Sequence, residues 1–317
     1  MSHLSLTVGP DVPPGTRIDK FLAGAGGPYT RSQLKTALKE IRQNGIPVKA
    51  SKQVRPGDCI EIDLREPEAP LYEAEKIDLD ILYEDSRVIA VNKPRGMVVH
   101  PGSGAGSGTL IQGLLYHARE IADNFPGEKI RPGIVHRLDK DTSGVIIAAK
   151  DPLSLEFLAG QFRGRTVKKV YLAIVKGRLP QSRGTISGCI RRDVRHRKRF
   201  IHAESGGKAA ETRYRVLSEC GAYSLVRLAP KTGRTHQLRV HMKALGCPIL
   251  GDPIYGRRDE SFPQAGLMLH AFRLSLTLPG EPQKRTFRAP LPADFALLMK
   301  RLFPSADSEN AMNRGQD

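Results

Sequence analysis

His136-Arg137-Leu138-Asp139-Lys140-Asp141-Thr142-Ser143-Gly144 runs directly into the apolar stretch Val145-Ile146-Ile147-Ala148. A polar cluster feeding a short apolar run reads as a loop at the edge of a sheet followed by a buried strand. Within six residues, 136 to 141, the loop holds a histidine, two cations and two carboxylates. Cations beside a carboxylate keep it ionised, and an ionised, oriented carboxylate can act as a nucleophile or a base. The same residues also suit a charged turn, because Asp141-Thr142-Ser143-Gly144 carries turn chemistry of its own.

Outward from this loop, strands and helices alternate. Val88 to Asn92, Val170 to Val175 and Tyr223 to Leu228 read as strands. Thr109 is placed to cap a helix whose apolar stripe is Leu110, Leu114, Ala118 and Ile121, widened by Leu115 and Ala122. Phe295 to Leu302 reads as a last amphipathic helix, and the polar residues 304–317 as a frayed tail. The Gly/Ser loop from Gly102 to Gly108 does not satisfy G-x-G-x-x-G, so no dinucleotide site is indicated.

The N-terminal block has a different character. A short helix is expected around Arg17 to Leu22. Thr30 and Gln33 fit a capping box, so a second helix is expected from Thr30, burying Leu34, Leu38 and Ile41. Arg31, Lys35, Lys39 and Arg42 follow the same period on another face. After Asn44-Gly45 the pattern changes to short strands, Ile46 to Val48 and Cys59 to Leu64, the latter after the Pro56-Gly57-Asp58 turn.

Charge divides the 317 residues. Lys and Arg number 50 against 33 Asp and Glu, a formal charge of +17. Residues 1–60 carry nine basic and four acidic residues, whereas residues 61–85 carry two basic and ten acidic. An acidic stretch with Pro67 and Pro70 thus separates two basic blocks and marks a boundary. The basic excess points to a polyanionic partner, nucleic acid before membrane surface. A further concentration lies at Arg191, Arg192, Arg195, Arg197, Lys198 and Arg199, set against Asp193 alone, with Phe200 as a stacking surface. It reads as a strap along RNA phosphates, or otherwise as a solvated loop. No apolar run approaches the roughly 18 residues that span a bilayer, and no signal peptide is visible at the start of the chain. Cys59, Cys189, Cys220 and Cys247 are far apart and without C-x-x-C, so reduced thiols in a cytoplasmic protein are expected, with no zinc ribbon or disulfide framework. His3, His117, His241 and His270 lack ligand spacing and are expected to be structural or surface residues.

Two resemblances add to this. Arg17-Ile18-Asp19-Lys20-Phe21-Leu22, Thr30-Arg31-Ser32, Asn44-Gly45 with Val48, and Val54-Arg55-Pro56-Gly57-Asp58 resemble an S4 RNA-binding domain over about residues 15–65. His136 to Gly144 resembles the signature of the RluA family of pseudouridine synthases. Asn92-Lys93-Pro94 with Gly96 and His100-Pro101, Lys169-Val170-Tyr171-Leu172-Ala173, and Lys231 through Arg239 resemble the same family in order. Together the resemblances cover about residues 15–290.

They imply an α+β chain: a small S4-like α/β module at 15–65, an acidic linker at 66–80, a synthase domain with a mixed, largely antiparallel sheet at 81–303, and a disordered tail at 304–317. They imply isomerisation of specific uridines to pseudouridine, with large-subunit ribosomal RNA as the expected substrate. Asp139 matches the family's catalytic aspartate, Tyr171 the tyrosine lying against the target base, and Arg234 the arginine pairing with that aspartate; Asp141 is read as a turn residue. Arg137 joins Arg31, Lys35, Lys39, Arg42 and the 191–199 cations as expected RNA contacts. No cofactor, metal, membrane or obligate protein partner is expected, and the chain is expected to be a monomer. Two other readings fit part of the same features: a synthase acting on tRNA, and a non-catalytic S4-type RNA-binding or ribosome-assembly protein. The second would require a degenerate pocket.

Overall fold

The computed structural model describes residues 2–24, 38–64, 73–100, 106–125, 132–196 and 199–304. The chain divides into two units, Met1–Leu71 and Tyr72–Asp317.

In the first unit, Ser2–Thr7 (β1), Leu38–Gln43 (β2), Ile46–Pro47 (β3) and Cys59–Leu64 (β4) form an antiparallel sheet in the order β1-β4-β2-β3. Ile18–Gly24 (α1) packs Ile18, Phe21 and Leu22 into a core with Val8, Ile41, Val54, Ile60 and Ile62. The helix expected to run from Thr30 through Ile41 is corrected here at its C-terminal end. Leu38–Gln43 is a strand, and Ile41 and Gln43 point inward at period two. Asn44 and Gly45 both adopt positive φ, 55° and 75°. That is the backbone of a tight hairpin turn, which requires a strand on each side rather than a helix on one. Asp58 ties this turn to the next one, accepting hydrogen bonds from Asn44 Nδ2 at 2.9 Å and from the Arg55 amide at 2.7 Å. The Thr30 cap and Leu34 lie outside the described residues.

The second unit is organised on a ten-stranded sheet. Its strands are Ile81–Glu84 (β5), Val88–Lys93 (β6), Ser143–Ala149 (β7), Lys168–Lys176 (β8), Arg183–Arg192 (β9), Phe200–Ala203 (β10), Lys208–Cys220 (β11), Tyr223–Pro230 (β12), Leu269–Thr277 (β13) and Lys284–Arg288 (β14). They lie in the order β10-β9-β11-β12-β8-β13-β7-β6-β5, with β14 also on β13. Every pairing is antiparallel except that of β13 with β7, so the sheet is mixed and largely antiparallel.

β7 is buried at all seven positions and feeds two cores. Ile146 and Ala148 meet Leu110, Ile111, Leu114 and Ile121 of Leu110–His117 (α2) and Glu120–Asn124 (α3). Val145, Ile147 and Ala149 meet Leu158 of Pro152–Arg163 (α4) on the other face. A third core surrounds β8 and β12 under Gln237–Ala244 (α5) and Ala293–Leu302 (α6). The single helical stripe expected from Leu110 to Ala122 is two helices, interrupted at Ala118, where φ and ψ are −122° and 81°. Gly144, the second residue of β7, has φ +115°, and a Cβ there would lie 2.2 Å from Ala271 O of β13. Only glycine permits that approach.

The expected linker ends earlier than residue 80. Glu75 accepts the Gly108 amide at 2.7 Å, and Asp80 takes both the backbone and side-chain nitrogen of Asn92 at 2.8 Å, so both acids belong to the second unit. Among the described residues no helix is long and apolar enough to cross a membrane. The four cysteines are free thiols, and the tail beyond Pro304 lies outside the described residues.

Candidate active site

The loop preceding β7 is pinned from several sides. Gly133 O accepts the Ala149 amide at 2.8 Å, and Asp139 O accepts the Thr142 amide at 3.1 Å, closing the turn that contains Asp141. His136 lies flat on Phe162, centroids 4.7 Å apart, and its Nε2 accepts the Ile147 amide at 3.1 Å. That bond places the ring proton on Nδ1, and burial pushes the imidazole pKa down to about 3. Lys93, fully buried, donates to Pro94 O, Met97 O and Lys140 O at 2.8, 2.9 and 3.0 Å. Burial lowers its pKa to about 7 against the opposing pull of Asp141 and Asp139.

Asp139 faces a cleft of about 500 Å³. Tyr171 projects into it from β8, half-buried between two cores. Burial, and then the charge of Asp139, raise its phenol pKa well above the ordinary value, so the ring is neutral. Leu269 of β13 and Leu138 add apolar lining.

The cation facing Asp139 is Arg239, whose Nη1 lies 3.6 Å from Asp139 Oδ2. The pairing expected of Arg234 is corrected accordingly. Arg234 lines the same cleft, but its Nε donates to Ala209 O at 2.9 Å. Arg239 sits in the first turn of α5 and is buried, 3% exposed. Its Nε and Nη2 each donate at 2.8 Å to Asp252, whose Oδ1 also accepts the Ile254 and Tyr255 amides at 2.9 Å. Burial alone would push the Asp252 carboxyl up; Arg239's hydrogen bonds and charge outweigh it and hold the carboxyl below its usual range. The Arg239 guanidinium also lies over the Tyr255 ring at 5.2 Å.

Gln237 fixes the loop before α5. Its Oε1 accepts from Thr232 Oγ1 at 2.7 Å and from the Arg234 amide at 3.0 Å; its Nε2 donates to Glu211 O at 3.0 Å and Thr212 Oγ1 at 2.9 Å. His236 lines the cleft in a left-handed conformation, φ 56°, with Nδ1 2.8 Å from the Tyr255 hydroxyl. That hydroxyl accepts the Phe200 amide at 2.9 Å, so the β9–β10 hairpin is stitched to the cleft wall where its loop meets β10.

Of the expected RNA contacts, Arg137 lines the cleft and is exposed. Arg191 and Arg192 end β9, and Arg192 lies over Phe200 at 5.5 Å. Arg195 and Arg199 are exposed around the hairpin tip, while Arg197 and Lys198 lie outside the described residues. In the first unit Lys39 is exposed on β2, and Arg42 is occupied by a two-point pair with Glu40 at 3.2 and 2.9 Å. The four-residue helical stripe is therefore not formed as expected; Arg31 and Lys35 lie outside the described residues. Among the described residues no group of three His, Cys, Asp or Glu could hold a metal ion.

A carboxylate faced by a buried arginine beside a neutral aromatic wall suits covalent attack on a substrate that carries a flat, uncharged ring. The wider sequence and fold agree. Residues 87–244 match the RNA pseudouridylate synthase family, and the chain belongs to it, within its RluA branch. It is 44% identical over 295 residues, 91% of this chain and 90% of the relative, to a ribosomal large subunit pseudouridine synthase D of Borreliella burgdorferi. It is 43% identical over 288 residues, 90% of this chain and 94% of the relative, to an uncharacterized RNA pseudouridine synthase of Bacillus subtilis. Among solved structures, human RNA pseudouridylate synthase domain containing 4 superposes with a TM-score of 0.56 at 30% identity, covering 70% of this chain and 92% of that one. The chain is thus an RNA pseudouridine synthase.

Proposed function

We propose that this synthase acts on large-subunit ribosomal RNA, with Asp139 as its nucleophile. The 3.6 Å approach of Arg239 to Asp139 inside a cleft walled by Tyr171 carries the catalytic assignment, and the name of the Borreliella burgdorferi relative supports the substrate. The target uridine leaves its stack and enters the cleft, its pyrimidine against Tyr171. Asp139 attacks at ribose C1′ or at ring C6; the N–C glycosidic bond breaks and a C–C bond forms to the same sugar. Arg239, fixed by Asp252, holds a positive charge beside the attacking carboxylate. Reactant and product are isomers, so the reaction needs neither redox cofactor nor nucleotide. Arg234 and Arg137 supply cations at the mouth of the cleft. The first unit acts as an S4-type module, and the β9–β10 hairpin as a phosphate strap. The enzyme works as a cytoplasmic monomer.

Mapping pseudouridine in ribosomal RNA and tRNA from cells lacking the protein tests this reading. One or more positions should be lost from the large-subunit RNA, restored by the wild-type chain and not by Asp139→Asn. Loss confined to tRNA would transfer the substrate to that class. Restoration by Asp139→Asn but not by Asp141→Asn would move the nucleophile.

A further inference from the structure

Lys169 precedes Tyr171 by two residues on β8, so strand alternation puts both side chains on one face, about 7 Å apart along the strand. Both line the cleft. The Lys169 ammonium lies under the loop that Gln237 fixes. Nζ donates to Thr232 O at 3.4 Å, and a Cβ built on Gly233 would meet Nζ at 4.0 Å and nothing nearer.

Its charge environment separates it from Arg239 and Lys231 in the same cleft. Arg239 is held by Asp252, and Lys231 lies 3.5 Å from Glu211. Lys169 has no carboxylate partner among the described residues; burial is the one influence on its pKa, which falls to about 8. Asp139, the one carboxylate among the described lining residues, is faced by Arg239. An ammonium has three donors, and one is engaged by Thr232, leaving two for a ligand. A half-desolvated cation without a counter-charge is costly to maintain, and such a group in a cleft marks a place where a ligand supplies the missing oxygen.

We propose that Lys169 contacts the substrate, its ammonium donating to a negatively polarised oxygen of the flipped uridine nucleotide. The proposal rests on the reading of the cleft as a uridine site. Two oxygens share the required chemistry, a uracil carbonyl and a phosphate oxygen of the same nucleotide. At the carbonyl the contact bears on the bond changes. In attack at C1′ the Asp139 Oδ–C1′ bond forms as C1′–N1 breaks, and the N1 electron pair spreads to O2 and O4. In attack at C6 the Oδ–C6 bond forms, and the C5=C6 pair moves through C5 and C4 to O4. Either route places negative charge on a uracil oxygen, where a fixed cation is most effective.

The test compares wild type with Lys169→Gln, Lys169→Arg and Asp139→Asn as full chains on a large-subunit ribosomal RNA transcript labelled with tritium at uridine C5. Turnover is read from tritium release, and affinity from salt-dependent binding. With a carbonyl contact, Lys169→Gln lowers kcat about a hundredfold, leaves Kd near wild type, and is partly rescued by Lys169→Arg. With a phosphate contact, Kd weakens, the slope of log affinity against log salt falls by about 0.7, and kcat at saturation is retained. Wild-type kcat and Kd in folded Lys169→Gln overturn the proposal. Should that variant not fold, wild-type protein is acetylated with and without RNA and each lysine read by mass spectrometry. RNA bearing the target uridine should shield Lys169 relative to the protein without RNA, and equal acetylation of Lys169 in both overturns the proposal. Activity remaining in Asp139→Asn would instead show that the underlying reading of the cleft had failed.

Discussion

Arg239 spends two nitrogens on Asp252, at 2.8 Å each, and points the third at Asp139, 3.6 Å away. The guanidinium is immobilised before any substrate arrives, so the cation that faces Asp139 is held in place by a residue thirteen positions beyond the arginine. Asp252→Asn should therefore do double damage. It leaves a buried arginine without its counter-charge, costing about 3–5 kcal/mol of stability, and it loosens the cation that faces Asp139. Urea unfolding together with turnover of the surviving folded protein would check this; unchanged kcat in a destabilised variant would confine Asp252 to a packing role.

Acid should weaken the fold well above the carboxylate range. His270 is fully buried, its Nε2 donating to Ala289 O at 3.3 Å and its Nδ1 accepting the Ser143 hydroxyl at 2.9 Å, and burial lowers its pKa to about 4. The unfolded chain binds the proton near pH 6.5 and the folded chain only near 4, so stability is complete above 6.5 and declines as pH falls through that window. The slope from this residue is up to about 1.4 kcal/mol per pH unit. His241, also brought to about 4, adds in the same direction. Unfolding free energies at pH 7, 6 and 5 should show the decline, and His270→Gln should make it shallower.

Gly144→Ala should disrupt the junction between the loop that carries Asp139 and the sheet. The new methyl would occupy the space of Ala271 O in a backbone conformation with φ +115°, and the parallel pairing of β7 with β13 cannot yield without moving a fully buried strand. A loss of more than about 2 kcal/mol is expected, read as a lower denaturant midpoint. Gly45→Ala in the first unit, with no heavy atom within 4 Å of its Cβ, should meet only the positive-φ penalty.

The hairpin cations should act on affinity and leave the chemistry intact. Replacing Arg191, Arg192 and Arg195 by alanine is expected to reduce the salt slope of RNA binding by about 0.7 for each lost phosphate contact on single-stranded RNA. Turnover at saturating RNA should stay close to wild type. A chain shortened to begin at Tyr72 should fold, given the compactness of the second unit, and show a further reduction in slope. If the slope stays at the wild-type value in both proteins, neither surface reaches phosphate.

Much of the second unit was legible because its strands are apolar runs of the right length, and because the loop before β7 concentrates charge where the pattern turns. Two failures have physical causes. Around Leu38 the spacing of Leu34, Leu38 and Ile41 fits a helix and says nothing against it; the decisive signal was the Asn44-Gly45 pair, which forces a strand on both sides. At Lys231 to Arg239 two arginines five residues apart compete for Asp139, and local pattern cannot choose between them. The choice is made by Asp252, a partner reached only when the loop after α5 folds back. Lys93 and Gln237 were hidden for a similar reason. Their roles depend on carbonyls and hydroxyls brought in from β11 and from the loop before β7, which no local spacing reveals.

The Gln237 amide, with every donor and acceptor engaged, has a consequence for how such an enzyme can change its target. A frame this fully committed tolerates little adjustment, so a change of target is expected to come from elsewhere on the chain. Under the proposed reading, addressing falls to the N-terminal unit and the hairpin, where exposed cations such as Lys39, Arg191 and Arg195 can be exchanged at little cost to the fold. Chemistry and addressing are thereby free to diverge at different speeds: the interior resists substitution while the outer surface is revised, and a new RNA site can be acquired without rebuilding the centre.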